Sequence, residues 1–272
     1  MAEQKFEKKD RRPRGRQCQQ EPMEQDENKL EGRNAVWEAL KSGRTVDKLF
    51  ILKGEREGSL QRIFAAAREK NIVISEVERS RLDAMSDTHA HQGVIAQCAA
   101  REYCTVEHIL DVARQRGESP FVIICDEIND PHNLGALIRT ANGAGAHGII
   151  IPKRRSVGLT SVVAKSAAGA VEHANIARVT NLGAAIDQLK KEGLWIFGAD
   201  MDGSSNYYDA DLTGPIALVV GSEGFGIGQL VRKKCDFLVK LPMRGEITSL
   251  NASVAGGILM YEIVRQRAKQ TR

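Results

Sequence analysis

Five apolar runs in the C-terminal half constrain the chain most: FVIICDEI from Phe121, HGIIIP from His147, LWIFGAD from Leu194, IALVVGSEG from Ile216 and FLVKLPM from Phe237. Each is nearly unbroken rather than alternating, the pattern of strands covered on both faces, and segments of helical character separate them. Strands buried on both sides and joined by helices are parallel. Residues 121–272 are therefore expected to form an α/β domain around a parallel sheet. In such a sheet, ligands bind where strand ends turn into helices. The turns after these strands are where function should lie.

Upstream, LEGRNAVWEALKSGR sets Val36, Ala39 and Leu40 at helical spacing and stops at Gly43, while VDKLFILKG, NIVISEV and QGVIAQCA read as strands and SLQRIFAAAREK as a helix. Residues 29–100 are expected to form a small α/β domain, with 101–120 as a charged, helical linker. A chain of 272 residues accommodates two domains, and 42% hydrophobic with 27% charged residues suits a globular protein.

Residues 1–28 differ. Lys5, Lys8, Lys9, Arg11, Arg12, Arg14 and Arg16 outnumber Glu3, Glu7 and Asp10, giving the first sixteen residues the whole chain's formal charge of +4. Glu21, Glu24, Asp26 and Glu27 follow, almost without aliphatic residues, so this tail is expected to be disordered. It suits either a solubilising extension or a sequence-blind grip on phosphate. No apolar run follows the basic residues, so it is not expected to be a signal peptide. The mild net charge permits a nucleic-acid partner without demanding one.

Cys18, Cys98, Cys104, Cys125 and Cys235 are odd in number and contain no C-x-x-C pair, which favours a reducing compartment and disfavours structural zinc. No stretch approaches the roughly 18 apolar residues of a membrane span. The expected location is the cytoplasm, with no membrane partner and no metal.

Three turns are rich in functional groups. After FVIICDEI, Pro131 bars helix continuation from upstream, Asn133 can cap the next helix, and Arg139 follows six residues later, so both could face one region. Arginine suits bidentate phosphate recognition. After IALVV comes GSEGFGI, where Gly221, Gly224 and Gly226 surround Glu223. The order G-x-x-G-x-G, late in the domain, is not the dinucleotide fingerprint G-x-G-x-x-G, which disfavours a Rossmann oxidoreductase or nucleotide enzyme. After FLVKLPM, Gly245 allows a bend, and Ser249, Asn251 and Ser253 alternate before a helix that needs one cap. Gly256 and Gly257, each costing about 1 kcal/mol against Ala in a helix, suggest a close neighbour.

Together NDPHNLGALIRTA, LVVGSEGFGI and LPMRGEITSLNASVA resemble, in order and spacing, the three signature motifs of the SpoU or TrmH family of RNA ribose 2'-O-methyltransferases, across about residues 121–262. LEGRNAVWEAL and HQGVIA extend the likeness to a substrate-binding domain similar to ribosomal protein L30e. The nearest resemblance is to bacterial 23S rRNA guanosine 2'-O-methyltransferases, with a tRNA target or a catalytically silent RNA-binding protein as alternatives. The basic tail lies outside the pattern.

The resemblance implies a SPOUT-type domain with a deep trefoil knot, a homodimer, S-adenosylmethionine as cofactor and RNA as partner, rRNA favoured over tRNA. Periodicity cannot reveal a knot, and general topology rules argue against one. By motif position, the resemblance implies Gly221, Leu241, Leu250, Ala199 and Gly198 at the cofactor, and Arg139, Asn133, Glu223, Ser249 and Asn251 at a methyl-transfer site completed across the dimer interface, with Arg139 either the base or the group that binds phosphate and the developing alkoxide. Outside this set, His89 and His91 lack the partners of a metal site. His132 is read as bonding locally in its turn, and Lys153, Arg154 and Arg155 as either phosphate contacts or a solvated loop.

Overall fold

A computed structural model describes residues 28–54, 58–98, 102–246 and 248–270. The tail 1–27, with its expected disorder and phosphate grip, lies outside the described residues, as do Arg101 and Cys18. The small unit runs β1 (Lys29–Glu31), α1 (Arg33–Ser42), β2 (Val46–Leu52), α2 (Ser59–Glu69), β3 (Val73–Val77), α3 (Arg79–Met85) and β4 (Val94–Cys98), with strand order β1-β4-β2-β3. Val36, Ala39 and Leu40 turn into its core, and α1 stops at Gly43, whose φ of 81° is left-handed and whose N–H bonds Ala39 O. β1 was not foreseen: three residues leading straight into a helix show no period.

The stretch between the units is not a free connector. Its helix α4 (Val106–Arg116), capped by Thr105, buries Val106, Ile109, Leu110 and Ala113 against the second sheet. Isoleucine 109 fits only because residue 148 is glycine, where a Cβ would stand 2.5 Å from the Ile109 side chain.

The large unit continues with β5 (Phe121–Cys125), α5 (Pro131–Gly143), β6 (Gly148–Pro152), α6 (Ser161–Ser166), β7 (Ile176–Val179), α7 (Leu182–Lys191), β8 (Trp195–Ala199), β9 (Ser205–Asn206), β10 (Ile216–Val220), α8 (Gln229–Arg232), β11 (Phe237–Lys240) and α9 (Ala252–Gln270). All its strand pairs are parallel, in the order β7-β6-β5-β10-β8-β11-β9. Strand β5 shows why the apolar runs are unbroken. Phe121, Ile123 and Cys125 face α5 and α9, while Val122 and Ile124 face α4 and α7.

Because the strands are parallel, the chain leaves β5, β8, β10 and β11 along one edge. The two units are also joined firmly. Arg44 pairs with Glu172 at 3.0 Å, His173 Nε2 lies 2.8 Å from Glu38, and Lys165 of α6 donates to Thr88 Oγ1 and Ala90 O, both at 3.1 Å. No helix among the described residues is long and apolar enough to cross a membrane.

Candidate active site

The turn after β10 doubles back on itself. Ser222 and Gly226 exchange backbone hydrogen bonds of 3.0 and 2.9 Å, and a Cβ at Gly221 would stand 2.1 Å from the carbonyl carbon of Gly226, so only glycine fits there. Gly226 has φ of +64°. The far end is tied down by Asp126, buried at the end of β5, whose Oδ2 accepts the Gly228 N–H at 2.8 Å. Burial pushes the Asp126 carboxyl above its ordinary value, and this single bond only partly offsets that. Glu223 is thus carried on a turn closed at both ends.

Helix α5 is capped by Asp130, which accepts the His132 N–H at 2.9 Å, with Pro131 at the first helical position. This corrects the expectation for Asn133. It stands in the first turn rather than at the cap, so its side chain is available to other elements. Buried beneath the loop, Asn133 Nδ2 donates to Glu223 Oε1 at 2.9 Å.

The cap of α9 is Asn251. Its Oδ1 accepts the Ser253 N–H at 2.9 Å, the Val254 N–H at 3.2 Å and the Ser253 hydroxyl at 2.6 Å. Its Nδ2 donates to Asn133 Oδ1 at 2.9 Å and to the same Glu223 oxygen. One amide therefore caps a helix with its oxygen and fixes a carboxylate with its nitrogen. Glu223 Oε2 has no partner among the described residues, on an exposed side chain.

Beside this node lies a cavity of about 350 Å³, within the usual range for small-molecule sites. Val220, Val239, Leu241, Leu250 and Leu259 give it apolar walls, and Gly221, Glu223, Ser249 and Ala199 also line it. Asp200 and Arg232 close the far rim as a pair, with Arg232 Nε donating to Asp200 Oδ2 at 2.9 Å. Gly198 does not line the cavity. A Cβ there would lie 2.9 Å from Cys235 Sγ, Ile227 and Leu238, so it lets the strand wall pack.

Ser249 lines the cavity without a hydrogen bond among the described residues. Arg139 is apart from both. It is exposed, outside the cavity, and six residues beyond Asn133, which on an α-helix leaves the two about 120° apart. Within one chain they do not converge, contrary to expectation. Gly256 has the close neighbour foreseen: a Cβ there would be 2.6 Å from Leu137 of α5, which lets α9 settle onto α5.

The remaining candidates sit elsewhere. His91 is buried, 2.9 Å from Asp83, and accepts the Gly93 N–H at 3.0 Å; no metal-holding cluster occurs among the described residues. His132 Nδ1 meets Ser166 Oγ at 3.0 Å, so its bond reaches α6 rather than staying within its turn. Arg155 pairs with Glu127 at 3.1 Å. Asp126 was missed, because an acid just after a buried strand carries no local sign of the loop it will hold.

Fold and site define an α/β enzyme with a small-molecule cavity and a fixed carboxylate on the C-terminal edge of a parallel sheet. The family model "SpoU rRNA Methylase family" matches residues 120–261, and "RNA 2'-O ribose methyltransferase substrate binding" matches 29–104. The chain is 49% identical over 245 residues to a TrmH family tRNA/rRNA methyltransferase by name, YacO of Bacillus subtilis (strain 168), covering 90% of this chain and 98% of that protein.

Among solved structures, the SpoU methyltransferase AviRb from Streptomyces viridochromogenes, in complex with AdoMet, superposes with a TM-score of 0.77 at 26% identity, covering 88% of this chain and 90% of that one. An AdoMet-bound rRNA methyltransferase from Sinorhizobium meliloti gives 0.71 at 25% identity, covering 87% and 86%. The chain belongs to the SpoU family, of TrmH type, and is an RNA methyltransferase.

Proposed function

We propose that the protein transfers the methyl group of S-adenosylmethionine to a ribose 2'-hydroxyl of RNA, a guanosine of 23S rRNA, in the cytoplasm. The observation that carries this reading is the Asn133–Glu223–Asn251 node, a fixed carboxylate with one open oxygen beside the cavity. The apolar walls and the close turn at Gly221 fit a cofactor held by main-chain edges. Gly221, Leu241 and Leu250 would hold it, with Ala199 beside it and Gly198 beneath. A deep trefoil knot at the C-terminal end belongs to the same reading.

When bound, the cofactor supplies a methyl group already activated by a sulfonium. The protein's task is then to orient the hydroxyl and help remove its proton. Glu223 Oε2 accepts the hydroxyl's hydrogen bond, Asn133 and Asn251 keep that carboxylate from turning, and Ser249 bonds the ribose.

Arg139 completes the site from a second copy of the chain. Val254, Ile258 and Tyr261 form an exposed stripe on α9, and the Tyr261 hydroxyl stands 3.3 Å from the Cβ position of Gly143, one turn beyond Arg139 on α5. An uncovered apolar stripe running beside Arg139 suits a homodimer sharing that face. A guanidinium is a forked donor with no acceptor atom, so Arg139 binds the RNA phosphate and the developing alkoxide rather than acting as base. The choice of rRNA rests on the L30e-like small unit.

Labelled methyl transfer to total RNA, followed by mapping of ribose-methylated positions, tests the reading. The expected product is 2'-O-methylguanosine in 23S rRNA. The Arg139→Ala variant loses transfer while still binding S-adenosylmethionine. Product confined to tRNA overturns the target, and methyl on a base overturns the reaction. RNA binding by a chain that does not bind S-adenosylmethionine would make this a silent protein of the same fold.

A further inference from the structure

Phe225 is 92% exposed, more so than any other large apolar side chain among the described residues. Exposure of this kind on a floppy tip would mean little. Here the ring stands on a turn pinned by the reciprocal Ser222 and Gly226 bonds, by the forced glycine at Gly221 and by the Asp126–Gly228 tie. Its flanking residues are glycines, and a Cβ at Gly224 or Gly226 would meet nothing within 4 Å. Open space therefore surrounds the ring. Phe225 also lines the mouth of the cavity two residues after Glu223, whose Oε2 is open.

A ribose held with its 2'-hydroxyl at Glu223 carries its base on the adjacent carbon, within reach of the same loop. Burying an aromatic ring against a base recovers the apolar area that Phe225 now leaves in water, and an ordered platform loses little entropy in doing so. We propose that Phe225 is the platform on which the base of the methylated nucleotide stacks, holding its ribose over Glu223. This rests on the ribose reading of the site. It makes Phe225 a substrate-positioning residue, one that recognises a base by its flat face rather than by its hydrogen-bonding edge.

The test uses the full chain and 23S rRNA transcribed without modification, with Phe225→Ala, Phe225→Leu, Phe225→Tyr and Phe225→Trp variants. Ala and Leu should lower kcat/KM roughly 10- to 100-fold, the range that stacking on one base carries. Tyr and Trp should restore it, with S-adenosylmethionine affinity and oligomer mass unchanged throughout. Replacing the target nucleotide by an abasic one, which keeps its 2'-hydroxyl, should slow the wild type to the level of Phe225→Ala and slow that variant no further. A Leu variant as active as wild type, a loss traced to cofactor binding or oligomer mass, or an abasic site methylated at full rate would each overturn the proposal. A wild type that methylates no ribose overturns the underlying reading as well, and is told apart by that control.

Discussion

Glu31 in the small unit and Glu223 in the large one are both carboxylates held by several hydrogen atoms, yet their surroundings differ. Glu31 is fully buried, and both of its oxygens are filled: by the Asp87 N–H at 2.7 Å, the Ser86 hydroxyl at 2.6 Å, the Thr88 N–H at 3.2 Å and the Thr88 hydroxyl. Burial pushes its carboxyl up, but the four bonds together outweigh this and hold it below the ordinary range. Glu223 is exposed, with two amides crowded onto one oxygen and the other left open. Asp126 lies between these cases, buried with one donor, and its carboxyl is pushed up. A saturated buried acid organises its own loop. A half-satisfied acid on a rigid turn keeps an acceptor for something else.

The contrast breaks most sharply by truncation. Glu223→Ala should lower kcat/KM for methyl transfer about 10²- to 10⁴-fold, while its urea midpoint falls far less than that of Glu31→Ala, because the side chain is exposed and only the Asn133 amide among its donors belongs to a buried residue. A large fall in midpoint would make Glu223 a second Glu31.

Glu31→Ala strands four donors around a fully buried site, the buried Ser86 hydroxyl among them, and should cost about 3–5 kcal/mol of stability in urea unfolding. The sign of its pH dependence follows from the depressed folded value. Its contribution is complete above the ordinary carboxylate value of 4.5 and disappears as pH falls through the folded one. Wild type should therefore lose stability on acidification across that window, and Glu31→Gln should show a flatter curve.

Asn251 allows a finer cut, because its two halves do different jobs. Asn251→Asp keeps an oxygen for the Ser253 and Val254 N–H groups, so α9 stays capped, but it sets a second carboxylate against Glu223. Activity should fall with stability unchanged, whereas Asn251→Ala should lose activity and about 1 kcal/mol together. Equal unfolding midpoints for the two variants would remove the capping role.

Local pattern made much of the fold legible. The buried strands, the stripe of α1 and its stop at Gly43 are decided by residues close in sequence, where periodicity and backbone freedom act. Edge strand β7 escaped because ANIARVT needs only part of its surface apolar at the border of the sheet. The packing of α4 onto the large sheet escaped too, since its apolar stripe gives no indication of which sheet it will cover.

For the site, the residue types and the three turns were legible, and their meeting was not. Asn133 stands 90 residues from Glu223 and 118 from Asn251. Asn133 read alone is a plausible cap, and the structure gives that task to Asp130. Asn251 read alone is one of three surplus polar residues, and the structure makes it cap and clamp at once.

By itself, then, the sequence determined the buried central strands, the main helices and that their functional turns lie on one edge, because hydrophobic period and parallel pairing follow from local chemistry. Only the tertiary structure decided which oxygen of Glu223 is filled, that Asp126 ties the loop, and that Arg139 stands outside its own chain's cavity. Those outcomes depend on directions of side chains from distant segments, which are set when the helices settle onto the sheet and not before.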